Sequence, residues 1–396
     1  YVVDFYCVRA GLVVELDTPA LEVRRAILAN WQGRYYEAER VAAESLALAR
    51  TGRDGIALVA AHWRLGIALG ERGQYAAARR VLSMGLSHAE TLGEHYYASK
   101  LLNTLGWLHH ELADHGSGRA WNERALETVR GSHGDRVTEA ERYALLDLAS
   151  HELAAGDLDA AAKHLGDVEP LLERHEYGRI RYLNRYQLVS GELSLARDDA
   201  GAALAAAAAA LELATAKGMR KNLAKARLLE GRALLRQGNR RDAEAALAES
   251  VALADEIEHG SLRWQSRLWL GAVLRARGQD PAPPYRAALA HIDALARALD
   301  DDHLRQTFLA SKGVNDVRAA LAEAEQDGPA PRPAGLTPRE LEVLRMLAQH
   351  QTDKEIAAAL FLSPRTVSTH VANIFIKLDV ANRREAAAAA AQLGLD

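Results

Sequence analysis

The sequence predicts an all-α protein, built as an array of helical hairpins followed by a small helical domain. Alanine, the strongest helix former, dominates the composition, and few stretches show the period-two alternation that a strand requires. Glycines recur at intervals of about 40 residues, which indicates a repeat architecture. Several helix-start signals cluster in the last 61 residues. At 396 residues the chain is also too long for one ordinary compact domain.

Charge and hydropathy exclude several classes of protein. A composition with 49% hydrophobic and 26% charged residues is typical of a folded protein rather than a disordered one. With a net charge of -4, the chain lacks the basic excess of many nucleic-acid binders. A nucleic-acid-binding role must therefore be argued from sequence motifs. No window reaches the ~18 uninterrupted apolar residues of a membrane span. We therefore expect a cytoplasmic protein, whose single Cys7 is an ordinary half-buried thiol in a reducing compartment.

Two series of glycines and one of alanines define the repeat. Glycines expected at close helix contacts are Gly66, Gly106, Gly191, Gly231 and Gly271. Glycines expected at turns are Gly33, Gly73, Gly156, Gly238 and Gly278, and four of them are followed by Ala38, Ala78, Ala161 and Ala243. This spacing predicts two helices joined by a glycine cap, with a small residue on each at the contact. Because one hairpin cannot bury its apolar faces alone, hairpins over residues 18–325 should stack into an α-solenoid.

The turn pattern resembles the tetratricopeptide family in Gly33, Tyr35 and Ala38 and again in Gly73, Tyr75 and Ala78. The third and fifth units carry Asp114 and Asp198 where the turn glycine is expected. The period is also longer than the usual repeat of about 34 residues. The resemblance implies a concave surface that binds a protein, a peptide or a small-molecule effector.

Aromatic and acidic residues of the repeats admit two interpretations. Four tryptophans in predicted first helices could face the core or the groove, and core packing is preferred for Trp63, Trp107, Trp264 and Trp269. The run Asp300-Asp301-Asp302-His303 could suggest a metal, but acidic runs at helix starts are commonly solvated, and we interpret it so.

No pattern indicates catalysis. The sequence contains no phosphate loop, HExxH zinc motif, paired-carboxylate signature or nucleophile elbow. The adjacent His109 and His110 would point about 100° apart on a helix, so they could not easily share a metal. We therefore expect no enzyme activity, no cofactor and no metal. The absence of a phospho-acceptor domain argues against receiver phosphorylation as the input signal.

Residues 326–335 read QDGPAPRPAG and predict a linker, since no helix interior tolerates three prolines and two glycines in ten positions. Beyond it, four N-cap signals begin helices predicted at 338–349, 353–361, 364–378 and 383–393; the caps are Thr337, Thr352, Ser363 and Asn382. The second and third helices have helix-turn-helix spacing. At the other end, residues 1–17 form a separate N-terminal segment that could be the end of an upstream domain, because residue 1 is Tyr rather than Met.

The third of these helices is amphipathic. Its inward stripe is Val367, Val371, Ile374 and Leu378, which should pack on Leu341, Leu344, Ile356, Ala357 and Leu360. Its opposite face presents Arg365, Ser368, Thr369, Ala372 and Ile376. A helix of this width fits the DNA major groove, with its outward residues at the base edges.

Residues 336–396 resemble the LuxR-type DNA-binding domain, through ordered positions that include Leu336, Thr337, Arg339, Glu340, Lys354, Glu355, Ile356, Ser363, Thr366, Val367, His370, Ile374, Lys377, Leu378 and Arg383. The resemblance implies a four-helix domain whose last helix supports a homodimer on two-fold double-stranded DNA. It places base reading at Ser368, Thr369 and Ala372 and further contacts at Lys354, Arg365, Thr366, Asn373 and Lys377. Many relatives are basic where Ser368 stands and polar or basic where Ile376 stands. Seven Lys and Arg balance seven Asp and Glu, so affinity should depend on dimerisation.

Repeats followed by this module resemble the large MalT-like bacterial regulators, in which an ATPase domain precedes the repeats. The sequence thus predicts a transcriptional regulator whose repeats sense a partner or effector and whose C-terminal domain binds operator DNA. Two alternatives stay open: a tetratricopeptide-like interaction scaffold, and the C-terminal part of a signal-transduction ATPase.

Overall fold

The computed structural model describes residues 6–7, 12–13, 19–130, 137–172, 179–326, 335–393 and 395. Within them the chain is almost entirely helical, as predicted. Its sheet consists of β1 (Tyr6–Cys7) and β2 (Leu12–Val13), which pair antiparallel with Tyr6 opposite Val13. None of the described helices has the length and apolar character needed to cross a membrane.

Sixteen of the described helices follow one another as hairpins. These are α1 (Pro19–Trp31) and α2 (Tyr35–Thr51), α3 (Gly55–Glu71) and α4 (Tyr75–Leu92), α5 (His95–Glu111) and α6 (His115–Arg130), α7 (Val137–Ala155) and α8 (Leu158–Leu172), α9 (Arg179–Ala196) and α10 (Ala200–Ala216), α11 (Arg220–Arg236) and α12 (Arg240–Glu256), α13 (Leu262–Ala276) and α14 (Ala282–Arg297), and α15 (Asp302–Leu309) and α16 (Lys312–Gln326). The C-terminal helices are α17 (Pro338–Ala348), α18 (Asp353–Ala359), α19 (Pro364–Leu378) and α20 (Arg383–Gln392).

The chain divides into two compact units. The first comprises Tyr1–Val273 and Pro283–Leu321, and the second comprises Leu274–Ala282 and Ala322–Asp396. Apart from Gln326 and Gly335, the predicted linker lies outside the described residues. Most of the predicted N-terminal segment also lies outside them.

The predicted contact glycines lie in first helices, where they allow close approach of a neighbouring helix. A methyl group at Gly66 would overlap the side chain of Leu82 on α4, and one at Gly271 would overlap the ring of Tyr285 on α14. The alanines predicted on the second helices are at most 1% exposed. Small residues on both helices thus set the spacing within a hairpin, as the repeat pattern predicted.

Turn residues have the left-handed conformation that the pattern required. The φ angle is 76° at Gly33, 78° at Gly73 and between 70° and 83° at the other three turn glycines. In the fifth unit Asp198 takes this place with φ 63°. In the third unit the position belongs to Ala113, with φ 59°, so its assignment to Asp114 was wrong by one residue. The Asp114 carboxylate accepts a hydrogen bond from the Ser117 backbone N–H at 3.3 Å instead.

The stacked hairpins turn back on themselves, so that early and late repeats meet. The backbone N–H of Gly260 donates to the carbonyl of Glu71 at 2.8 Å. A methyl group at Gly260 would lie 2.7 Å from the Gly73 Cα, so the two turns are in direct backbone contact. This contact closes a superhelical turn within the first unit.

The Glu71 side chain lies at this closure and is only 4% exposed. Its carboxylate pairs with Lys221 and lies 2.8 Å from the Nε2 of His259. Burial by itself would raise the pKa of the Glu71 carboxyl, but Lys221 and His259 outweigh burial and hold that pKa well below its usual range. A charged, partnered carboxylate therefore joins α3 to α11 and to the turn before α13.

The acidic run at residues 300–303 contributes to the same closure. Asp301 caps α15 by accepting from the Leu304 N–H at 3.0 Å, as expected for a helix start. Asp301 also binds Arg79 of α4 at 3.0 Å, and Asp300 pairs with Arg79 and Arg80. The interpretation of this run as merely solvated was therefore incomplete, because the chain fold brings distant arginines to it.

A glycine-to-alanine pair tests the role of the contact glycines. Gly66→Ala should lower the free energy of unfolding by roughly 1–3 kcal/mol, because the added methyl overlaps the fully buried Leu82. Gly166→Ala is the matched control on α8, where nothing lies within 4 Å, and should raise stability by up to about 1 kcal/mol. Urea unfolding followed by tryptophan fluorescence measures both, and equal effects of the two changes would contradict the packing argument.

Candidate nucleic-acid interface and repeat cavity

Four side-chain caps position the helices of the C-terminal unit. The Thr337 and Thr352 hydroxyls accept hydrogen bonds from the backbone N–H groups of Glu340 and Glu355. The Glu340 and Glu355 carboxylates in turn accept from the backbone N–H groups of Thr337 and Thr352, which completes two capping boxes. Ser363 and Asn382 cap α19 and α20 in the same way. The four predicted helices are confirmed, with their starts as predicted and their ends within two residues. Four residues separate α18 from α19, which is a helix-turn-helix arrangement.

The inner face of α19 forms the core of this unit. Val367, Val371 and Ile374 are buried, and Leu378 packs half-buried against the same cluster. They meet Leu344 and the buried residues of α18, as the stripe predicted. This packing turns the opposite face of α19 outward.

The outward face carries most of the predicted DNA-contact residues. The structure exposes Arg365, Thr366, Ser368, Thr369, Ala372 and Asn373, together with Lys354 on α18. Ile376 is 79% exposed on the same helix. The Thr369 hydroxyl donates to the Arg365 carbonyl at 3.0 Å, so it stays on its own helix.

Ser368 has a partner within the protein. Its hydroxyl donates to Asp353 Oδ2 at 2.7 Å, and the other carboxylate oxygen binds Arg383 of α20. Burial would raise the pKa of Asp353, but the hydrogen bonds from Ser368 and Arg383 outweigh burial and lower it. Ser368 thus links three helices, which gives a structural reason for a small hydroxyl at this position.

Lys377 is similarly engaged. Its ammonium lies 2.6 Å from Glu340 Oε2, and the Glu340 carboxylate is only 4% exposed. Glu340 also accepts from the Thr337 N–H at 2.6 Å. This pair joins α19 to the start of α17 and makes Lys377 the weakest of the predicted phosphate contacts.

Four cations of α17 to α20 have no carboxylate partner among the described residues. They are Arg345, Lys354, Arg365 and Arg384, and all four are exposed. Lys354 lies in the first turn of α18 and Arg365 in the first turn of α19. The two helix-turn-helix helices therefore each present a free positive charge.

A separate candidate site lies inside the repeats of the first unit. The first helices α1, α3, α5, α7, α9 and α11 contact one another in succession and surround a cavity of about 160 Å³. The second helices lie outside them. The concave surface predicted for the repeats is therefore observed as a cavity, because the superhelix closes on itself.

The cavity wall has an excess of positive charge. Its cations are Arg64, Lys100, Arg181, Arg185, Lys221 and Lys225, whereas its carboxylates are Glu71 and Asp147. Lys100 lies 2.8 Å from Glu139, and Arg185 pairs with Asp147. Arg64 has no carboxylate partner among the described residues and stacks on the Trp63 ring at 3.7 Å.

Burial makes these cations costly to keep charged. It lowers the pKa of Lys100 to about 7, although Glu139 opposes that shift. Burial likewise lowers the pKa of Arg64 to about 10. An anion in the cavity would stabilise their charged forms. Sequence reasoning missed this group, since single basic residues on a helix resemble surface charges until the first helices are known to face inward.

Three tryptophans line the cavity, namely Trp31, Trp63 and Trp107. Trp63 is 5% exposed and donates from Nε1 to the Thr104 hydroxyl at 2.9 Å. Trp107 donates to Glu111 at 3.0 Å. Trp63 belongs to the buried core cluster, as expected, and Trp107 packs half-buried against that cluster. Both rings also lie at the cavity wall, because the inward faces of the first helices form it. Trp264 is buried in the core as expected, and Trp269 lies half-buried beside Arg232.

Known proteins resemble both parts of the chain. Residues 334–390 match the family model of bacterial regulatory proteins, luxR family, so the C-terminal unit carries the predicted helix-turn-helix domain. Spore germination protein GerE of Bacillus subtilis is 44% identical over 59 residues, which are 15% of this chain and 80% of that protein. The Mycobacterium bovis protein named "Putative HTH-type transcriptional regulator Mb0914c" is 31% identical over 256 residues, 62% of this chain. The chain spans 26% of that relative's length.

The solved structure of a Rap protein complexed with competence and sporulation factor has a related fold. It superposes with a TM-score of 0.50 at 15% identity, covering 91% of this chain and 99% of that one. This likeness supports the helical-repeat fold predicted for the first unit.

Removal of the Lys377 side chain tests its structural role. Lys377→Ala leaves the buried Glu340 carboxylate without its cation, which should destabilise the C-terminal unit by roughly 1–3 kcal/mol. Hydrogen exchange of α17 and α19 amides, followed by mass spectrometry, should accelerate about tenfold or more. Lys354→Ala removes an exposed, unpaired cation and should leave these rates within about twofold. Equal rates in the Lys377 variant and the parent would show that the pair does not stabilise the unit.

Proposed function

We propose that this protein is a DNA-binding transcriptional regulator. In this proposal α19 reads operator DNA in the major groove, and the repeat cavity binds an anionic effector that controls the DNA-binding unit. The observation that carries the first part is the exposed, capped α19 face within a luxR-family domain. The charge of the cavity wall carries the second.

Different residues of the exposed helix-turn-helix surface would contact the bases and the phosphates of DNA. Thr369, Ala372 and Asn373 lie exposed along α19 and would meet base edges. Lys354 and Arg365 would contact phosphates from the first turns of their helices. The two phosphate-contacting cations supply little nonspecific affinity, so two copies on a two-fold operator would combine their contacts.

DNA selection tests this interface. The 396-residue chain incubated with a random DNA pool should enrich a two-fold motif. On that DNA, Thr369→Asp should abolish binding, because its carboxylate would face base edges and phosphates. Arg365→Ala should lower the slope of log affinity against log salt by about one. Arg345→Ala, an exposed unpaired cation on α17, is the matched control and should keep the slope.

Failure to enrich any motif would reject operator binding and favour an interaction scaffold. An equal loss of slope in the Arg345 and Arg365 variants would show that affinity is diffuse charge attraction rather than recognition by α19.

The effector class follows from the cavity wall. Six cations against two carboxylates favour an anion, and the rings of Trp63 and Trp107 favour a flat apolar body. Arg64 is the cation best placed to bind a carboxylate or phosphate, because it has no competing carboxylate among the described residues and is only 8% exposed. The Rap structure with a bound factor has a related fold, which makes ligand binding by the repeats a reasonable proposal here.

A fluorescence screen tests the effector class. Aromatic carboxylates and nucleoside monophosphates should quench the cavity tryptophans, whereas amines built on the same rings should not. For any ligand found, Arg64→Gln should weaken binding roughly tenfold or more. Arg240→Gln, at an exposed arginine on α12, should not change binding. Equal binding of amines and acids, or an unaltered Arg64 variant, would refute the anionic assignment.

A further inference from the structure

Three histidines that are separated in sequence meet near the turn between α5 and α6. His110 lies at the end of α5, His115 begins α6, and His151 lies on α7. One ligand nitrogen from each lies within 4.8 Å of the others. We propose that His110, His115 and His151 bind a divalent transition metal ion such as Zn²⁺.

The spacing of the three nitrogens suits a small metal ion. Three atoms no more than 4.8 Å apart have a centre at most about 2.8 Å from each, while a zinc–imidazole bond is about 2.0–2.1 Å. Each ring must therefore move by less than about 1 Å, which side-chain rotation can supply. The three rings already stand edge to face, with centroids 5.0 to 5.7 Å apart.

A hydrogen-bond relay fixes the tautomer of His151. The Asn122 amide N–H donates to Asn103 Oδ1 at 2.7 Å, and the Asn103 amide N–H donates to Asp147 Oδ2 at 2.8 Å. Asn122 Oδ1, 3.0 Å from His151 Nε2, must therefore accept the Nε2 proton. The Nδ1 of His151 is then left with a free lone pair, which is the second-shell arrangement that orients metal-binding histidines.

That lone pair has no hydrogen-bond partner among the described residues. The Nδ1 atoms of His110, His115 and His151 are all buried without a hydrogen-bond partner among the described residues. His151 is 2% exposed, and unpaired polar atoms in such positions are costly.

Neighbouring residues make room for the cluster and exclude competing ligands. Gly118 on α6 accommodates the His151 ring, since a methyl group there would overlap its Cε1. His109 is turned away and binds Asp114 at 2.9 Å, so it is not part of the set. His110 and His115 are half-buried as residues, so the cluster lies close to the surface of the repeats. Three imidazole nitrogens are a ligand set that suits Zn²⁺, Co²⁺, Ni²⁺ or Cu²⁺.

Zinc titration of the full chain, free of affinity tags and stripped of metal, tests the proposal. Competition with a chromophoric chelator should show one Zn²⁺ bound per chain. His110→Ala and His115→Ala should each weaken binding by roughly 100-fold. His88→Ala is the matched control. The ring centroids of His88 and His62 lie 5.3 Å apart, and this histidine pair lacks a third member among the described residues. It should leave zinc affinity unchanged.

A cobalt spectrum gives a readout that does not depend on affinity alone. Co²⁺ should produce visible absorption typical of a four-coordinate site. His115→Cys keeps a ligand and should add a near-ultraviolet sulfur-to-metal band, with helicity unchanged by circular dichroism. Absence of stoichiometric zinc binding would overturn the site. So would binding that survives both alanine variants or is lost equally in His88→Ala.

Discussion

A single buried carboxylate organises the larger part of this molecule. Glu71 receives Lys221 from 150 residues further along the chain and lies against His259, while its backbone carbonyl accepts from Gly260. A buried charge is tolerated only with partners, so these contacts constrain how far the stacked hairpins can open. Closure turns what would be an open groove into a cavity whose wall is made of first helices. The concentration of Arg and Lys side chains in that cavity follows from the same constraint.

The C-terminal unit uses its charges differently. Lys377 forms an ion pair with Glu340, and Arg383 forms one with Asp353. Both pairs join helices within the unit. Few cations then remain for nucleic acid, with Lys354 and Arg365 at the starts of α18 and α19. In the proposed function, a domain with so few unpaired cations would gain DNA affinity from two copies on one operator.

Local chemistry made much of this architecture predictable. Caps such as Thr337 and Ser363 specify helix starts through bonds three residues away, and contact glycines such as Gly66 report helix packing within one hairpin. These signals need only neighbouring residues, so the helix starts and the core stripe of α19 were predicted correctly. The outward positions of α19 followed from the same periodicity, although their contacts with DNA stay a prediction.

Contacts between residues far apart in the chain could not be predicted from sequence patterns. The residues around Ser368 in the sequence do not indicate that its hydroxyl binds Asp353, or that Arg383 binds the same carboxylate. Likewise, the residues around Trp63 and Arg64 do not indicate a cavity. His110, His115 and His151 have no motif spacing, because their meeting depends on how α5, α6 and α7 stack. The sequence by itself determined the helices, the hairpin repeat and the family of the C-terminal domain, since each is encoded by local periodicity and caps. Only the tertiary structure decided the closure, the cavity charge and the histidine cluster, because these depend on side chains that packing brings together from different helices.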